Sequence, residues 1–175
     1  MTEHRYLIAL GSNVPHPRHG GPRAVLRAVF QALDDEGLTL EAAASIHSSA
    51  PIGPSLRQYA NSAAVVRTTL PPQALLHHLK AIEARFGRRR SGMRWRSRVL
   101  DLDVILWSGG VFSSKTLTIP HPHYGGRAFV LAPAAQIAPN WRAPRTNLTL
   151  QHQSTRLTRP RPASRAQSSH APRVV

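Results

Sequence analysis

Apolar positions along this chain change period several times, and each change marks a structural element. Arg5-Tyr-Leu-Ile-Ala-Leu10 is a short apolar run closed by the turn tripeptide Gly11-Ser12-Asn13, which predicts a strand. After the Pro/Gly/His stretch from His16 to Gly21, Pro22 opens a helical pattern. Val25, Leu26, Val29, Phe30 and Leu33 recur at three- and four-residue spacing up to Gly37. Leu38 to Ile46 predicts a second strand, residues 48–58 a loop, and Tyr59 to Thr68 a third strand. Pro71-Pro72 opens a second helix, with Leu75, Leu76, Leu79, Ile82 and Phe86 on one face and Gly87 ending it. An Arg-rich loop over 88–98 leads into a fourth strand, Val99 to Trp107. Thr116 to Val130 reads as loop with a short strand, and Phe129 to Ile137 as a further short helix.

The order β-α-β-β-α-β with a C-terminal appendage is that of an α+β, ferredoxin-like sandwich. The expected arrangement has strands one and three central, adjacent and parallel. Helices are expected to cover one face, leaving the other for ligands. Residues 1–146 form the expected domain. From 147 to 175 the chain lacks a sustained apolar period and is rich in Arg, Pro, Ser and Gln, which predicts a disordered basic tail. Such a tail is either functional or an accident of a shifted reading frame.

The fourth strand carries the first chemical signal. In Asp101-Leu-Asp103-Val-Ile-Leu-Trp107 the two carboxylates lie two residues apart and so project from one face of a strand. Two adjacent carboxylates in an apolar setting repel each other and lose hydration, and a divalent cation relieves both penalties. Arg85, Arg88, Arg89, Arg90, Arg94, Arg96 and Arg98 crowd around Trp95 just upstream. Guanidinium groups for phosphates, carboxylates for Mg²⁺ and a ring for a flat base describe a nucleotide-phosphoryl site.

Composition narrows the setting. The formal net charge is +15, and only Lys80 and Lys115 are lysines. Residues 1–150 still carry about +10, with eighteen basic against eight acidic side chains, which favours anionic partners. The chain has no cysteine, excluding disulfides and thiolate metal sites. No apolar run approaches the ~18 residues of a membrane-spanning helix, and the first residues lack a signal-peptide layout. A cytoplasmic monomer is the expectation.

The motifs together resemble the 6-hydroxymethyl-7,8-dihydropterin pyrophosphokinase family. The matching pieces are Ala9-Leu-Gly11-Ser12-Asn13, Pro51-Ile-Gly53-Pro54 with Tyr59-Ala-Asn61, and Ile82-Glu83 with Gly87-Arg88-Arg89-Arg90. They continue through Arg94-Trp95-Arg96-Ser97-Arg98 with Leu100-Asp101-Leu102-Asp103, Ile119-Pro120-His121-Pro122, Arg127-Ala-Phe129 and Ile137-Ala-Pro139. The resemblance covers residues 5 to about 145, in family order. It departs at Arg96-Ser97, at Ser49-Ala50 and at Gln136, where an acidic residue is usual.

The resemblance implies transfer of pyrophosphate from ATP to the pterin's hydroxymethyl group, with release of AMP. Asp101 and Asp103 would hold two Mg²⁺ ions, and Arg88 and Arg98 would clamp phosphates, these four forming the expected catalytic set. Arg90, His121, Arg127, Thr118, Glu83, Val104 and Trp95 would complete the ATP site. For the pterin it implies Asn61 at the ring edge, Tyr59 and Phe129 packing on the ring, and Asp101 near the hydroxymethyl group. Trp95 would close over the site, and Gly11, Ser49, Ala50 and Ile52 would offer close backbone approach. A small RNA-binding module on the same sheet is the competing class. It is disfavoured because the first strand offers only Tyr6 as an aromatic and the fourth carries acids. A family member that has lost activity is a third alternative.

Overall fold

A computed structural model describes residues 2–35, 37–49, 59–87 and 99–159. Its centre is an antiparallel sheet with the spatial order β2-β4-β1-β5, and β3 also pairs with β4. The strands are β1 (His4–Ser12), β2 (Thr39–Ala43), β3 (His47–Ser49), β4 (Tyr59–Thr68) and β5 (Asp101–Trp107). Strands β1 and β4, the first and third of the sequence pattern, are central and adjacent as expected. They run antiparallel, however, with His4 opposite Thr68 and Ser12 opposite Ala60. The reason is topological: β2 follows α1 back onto the sheet, and β4 turns round from β2–β3 to slot between them and β1.

The strand expected from Leu38 to Ile46 is shorter, Thr39–Ala43, and a second short strand, His47–Ser49, extends into the segment expected as a loop from residue 48. Strand β2 pairs with the far half of β4 and β3 with the near half, from His47 opposite Asn61 to Ser49 opposite Tyr59. Between them the buried Ser62 hydroxyl donates to the Ala44 carbonyl at 2.9 Å, supplying a hydrogen bond where the edge breaks.

Helices α1 (Pro22–Asp35) and α2 (Pro72–Arg85) lie on one face of the sheet. Val25, Leu26, Val29 and Leu33 of α1, and Leu75, Leu79 and Ile82 of α2, lose all solvent exposure against Tyr6, Ile8, Leu10, Ala64, Val66, Leu102 and Val104. Each such side chain contributes about 1.5–3 kcal/mol by leaving water, so Leu79→Ala would cost about 2–5 kcal/mol. Gly87, at φ +81°, ends α2 with a left-handed residue.

The opposite face is roofed over part of its area, contrary to the expectation of one uncovered face. A hairpin of β6 (Phe112–Ser113) and β7 (Thr118–Ile119) and a short 3₁₀ turn precede α3 (Ala128–Ile137) and α4 (Leu150–Thr158). Val130, Leu131 and Ala134 of α3 and Leu150 of α4 pack against Leu7, Ala63, Val65, Ile105 and Leu106. The expected disorder from residue 147 therefore does not hold for residues 147–159. Thr149 caps α4, accepting at 3.1 Å from the His152 amide, and Leu150 is fully buried. The rest of that segment, 160–175, lies outside the described residues.

Candidate active site

Alternation along the strands decides which side chains meet. Even-numbered residues of β1 and β4 enter the core beneath α1 and α2, so odd-numbered ones face α3. On β5, Leu102 and Val104 join the helix-side core, turning Asp101 and Asp103 to the other face. Gly11 is opposite both Asn61 on β4 and Asp101 on β5, and Ala9 is opposite Ala63 and Asp103. Asn61, Gly11 and Asp101 thus form one row across three strands, and Asp103 begins the next.

The floor of this row is bare. A Cβ added at Gly11 would lie 3.7 Å from Asn61 Oδ1, an ordinary contact. Packing among the described neighbours does not require glycine there, and what the missing side chain leaves is room for a flat ligand between Asn61 and Asp101. Tyr59 stands one row further along the same face, half-buried, with Ser49 opposite its backbone. Phe129, on α3, packs against the second core, and the Arg127 guanidinium lies 5.9 Å from its ring centroid.

Electrostatics mark the two aspartates. Burial, with the neighbouring Asp101 charge second, pushes the Asp103 carboxyl above its usual range. His121, Lys80 and Arg127 act in the opposite sense and favour the carboxylate. His121 itself is lowered, by burial first, so its ring tends to be neutral despite the Asp103 charge. The Ile105 carbonyl on β5 accepts from the His121 amide at 3.0 Å, and His121 Nδ1 accepts from the His123 amide at 3.2 Å. A ring whose Nδ1 accepts carries its proton on Nε2, leaving that nitrogen as the donor.

The donor set suits a hard divalent ion. Two carboxylates side by side supply oxygen ligands, and a cation there would offset the repulsion that raises Asp103. Among the described residues no group of three or more His, Cys, Asp or Glu could enclose a metal. Two protein carboxylates with remaining positions left to phosphate oxygens and water is the way Mg²⁺ is held in phosphoryl-transfer sites.

The side chains of two further expected nucleotide neighbours are buried. Val104 is 2 % exposed, with its side chain in the helix-side core. Glu83 is fully buried, and its Oε1 accepts from the Leu102 amide at 2.8 Å and from Lys80 Nζ at 3.0 Å. Glu83 therefore braces the peptide between the two aspartates. Its signal in the sequence was a carboxylate on the buried stripe of α2, four residues after Leu79. Gln136 also has a role the sequence did not disclose: it accepts from the Ser45 amide at 2.9 Å and donates to the Ser45 hydroxyl at 3.0 Å, tying α3 to the sheet edge. Thr118 is half-buried on β7. Ala50, Ile52, Arg88, Arg90, Trp95 and Arg98 lie outside the described residues, as does the Ser49 side chain.

Comparison with known proteins places the chain in a family. Residues 7–139 match the model of the 7,8-dihydro-6-hydroxymethylpterin-pyrophosphokinase family. A Pseudomonas aeruginosa protein named 2-amino-4-hydroxy-6-hydroxymethyldihydropteridine pyrophosphokinase is 40% identical over 141 residues, covering 80% of this chain and 84% of the relative. A Synechocystis protein of the same name is 36% identical over 147 residues, covering 84% and 73%. Among solved structures, Plasmodium falciparum HPPK-DHPS superposes with a TM-score of 0.66 at 12% identity, a likeness of fold. That match covers 89% of this chain and 44% of the Plasmodium chain.

Proposed function

The chain belongs to the 7,8-dihydro-6-hydroxymethylpterin-pyrophosphokinase family, and from that membership we propose how its residues divide the family's work. The reaction is transfer of pyrophosphate from ATP to the hydroxymethyl group of 6-hydroxymethyl-7,8-dihydropterin, releasing AMP, a step of folate biosynthesis. The pterin hydroxyl oxygen bonds to the β-phosphorus of ATP, the bond from that phosphorus to the oxygen bridging the α-phosphate breaks, and the hydroxyl proton is released.

The pterin lies on the bare floor over Gly11, with its hydroxymethyl arm toward Asp101 and its ring beside Asn61. Asn61 hydrogen-bonds the heterocycle, while Tyr59 and Phe129 pack on its faces. Ser49, Ala50 and Ile52 offer main-chain groups to its edge.

Asp101 and Asp103 hold the metal, two Mg²⁺ ions in our reading. When bound, Mg²⁺ supplies positive charge that offsets the phosphates and favours ionisation of the attacking hydroxyl. The chain's own cations complete the neutralisation. His121 donates from Nε2 to a phosphate oxygen, Arg127 and Thr118 contact the nucleotide, and Arg88, Arg90 and Arg98 clamp phosphates with Trp95 covering them. Glu83 acts through Leu102, keeping both aspartates aimed at one face. We extend the reading to a monomer, since strands of one chain supply Asn61, Gly11, Asp101 and Asp103, and the same proposal sets the protein in the cytoplasm.

The observation that carries this reading is the shared face of Asp101 and Asp103, with Asp101 in one row with Gly11 and, a strand further, Asn61. Its test is AMP release by the purified protein given Mg²⁺-ATP, with and without the pterin. Pterin-dependent AMP, and not ADP, is expected; its absence from folded protein would refute the reading.

A further inference from the structure

The row that holds Asp101, Gly11 and Asn61 does not end at Asn61. His47 on β3 is opposite Asn61, so four strands contribute in line: Asp101, Gly11, Asn61, His47. Directly opposed residues of an antiparallel pair share a face. The neighbouring residue confirms which face this is, because Ile46 packs into the helix-side core and sends His47 to the side of the aspartates. The His47 side chain is exposed there.

The spacing makes this placement chemically specific. Strands lie about 4.8 Å apart, so Asp101 and Asn61 are separated by about 10 Å and Asp101 and His47 by about 14 Å. A two-ring heterocycle with a one-carbon arm, its hydroxyl turned toward Asp101, extends across Gly11 and past Asn61. What then projects toward β3 is the end of the ring opposite the arm, which carries the exocyclic amine. An imidazole has one acceptor and one donor nitrogen, and the acceptor matches an amine while the donor matches a ring nitrogen or carbonyl. The edge strand is also held in place: the paired Gln136–Ser45 hydrogen bonds fix the chain two residues before His47.

We propose that His47 is a specificity-determining residue that hydrogen-bonds the amine-bearing end of the pterin, a role that rests on the pterin pose given above. It acts on ground-state binding of one substrate and is remote from the reacting phosphorus.

Steady-state kinetics of His47→Ala, His47→Gln and Asn61→Ala, with the pterin and with an analogue lacking the 2-amino group, test this. His47→Ala is expected to raise KM for the pterin about 5- to 10-fold, the value of one neutral hydrogen bond, with KM for ATP and kcat unchanged. His47→Gln, which keeps an acceptor, is expected to recover most of that loss. Wild type is expected to discriminate against the analogue and His47→Ala to discriminate less, a difference that a purely structural role would not produce. If His47→Ala keeps both the wild-type KM and the wild-type discrimination while Asn61→Ala loses pterin affinity, the role of His47 is overturned and the pose stands. If Asn61→Ala also leaves pterin affinity intact, the pose falls and His47 with it.

Discussion

The amide of Leu102 donates to Glu83 Oε1 across 2.8 Å, so a carboxylate with no solvent exposure holds the residue between the two aspartates. Lys80 is a weaker support, because its side chain is 41% exposed and water screens the pair. Glu83→Ala is expected to cost about 1.5–3 kcal/mol in urea denaturation, the range for losing a hydrogen bond to a charged acceptor. Glu83→Gln, which keeps an acceptor for Leu102, should lose less. The second consequence is on metal binding: Glu83→Ala should weaken Mn²⁺ binding, followed by electron paramagnetic resonance, by about 10- to 100-fold. Equal Mn²⁺ affinity in both variants and wild type would remove the bracing role.

Asp103 sets a pH dependence of stability. Its carboxyl is raised above 3.8, chiefly by burial and then by Asp101. The folded protein therefore holds this proton more tightly than the unfolded chain. The resulting stabilisation is fully present below 3.8 and is lost as pH rises through the folded value. Asp103→Asn removes this dependence. Without added metal it is expected to melt above wild type at pH 7, with the gap closing in acid. A lower melting temperature at pH 7 would contradict the burial cost assigned to the charge.

His121 is expected as the Nε2–H tautomer, since its Nδ1 accepts from the His123 amide. Two-bond ¹H–¹⁵N correlation spectra report the tautomer directly, and an Nδ1–H ring would exclude the arrangement. In ATP binding, His121→Gln, which can place an N–H near the Nε2 position, should lose about 3-fold. His121→Asn, which cannot reach it, should lose about 10- to 100-fold, the scale of one hydrogen bond to a charged acceptor.

The C-terminal helix contributes to the fold. Thr149→Ala should cost about 1 kcal/mol through the lost cap, and Leu150→Ala about 2–4 kcal/mol through the cavity beneath α4. A chain ending at residue 146 should melt well below the full chain. An unchanged melting temperature would show that α4 is dispensable to the second core.

The elements that were legible were those with a strong period. Leu75, Leu79 and Ile82 mark α2, and the alternation of Asp101, Leu102, Asp103 and Val104 marks β5 and both of its faces. Helix α4 escaped because it buries only Leu150, leaving no stripe to detect. The break between β2 and β3 depends on Ser62 reaching Ala44 from another strand, a contact that local spacing cannot register. The antiparallel pairing of β1 and β4 likewise depends on the order in which strands enter the sheet. In the site, the carboxylate pair could be read from its spacing and Asn61 through the family resemblance, whereas the hydrogen bond from the Leu102 amide to Glu83 is a tertiary contact that spacing does not disclose. His47 is one unremarkable histidine until register aligns it with Asn61.

In the proposed reaction, pyrophosphoryl transfer depends on the metal that Asp101 and Asp103 jointly hold. The most direct measurement is pterin-dependent AMP formation by Asp101→Ala and Asp103→Ala beside wild type, with folding of each checked by circular dichroism. A loss of at least ~10²–10³ in rate is predicted for each variant, the scale of one charged contact at a developing transition-state charge. Near-normal turnover by either folded variant would show that the replaced aspartate does not hold the metal needed for transfer.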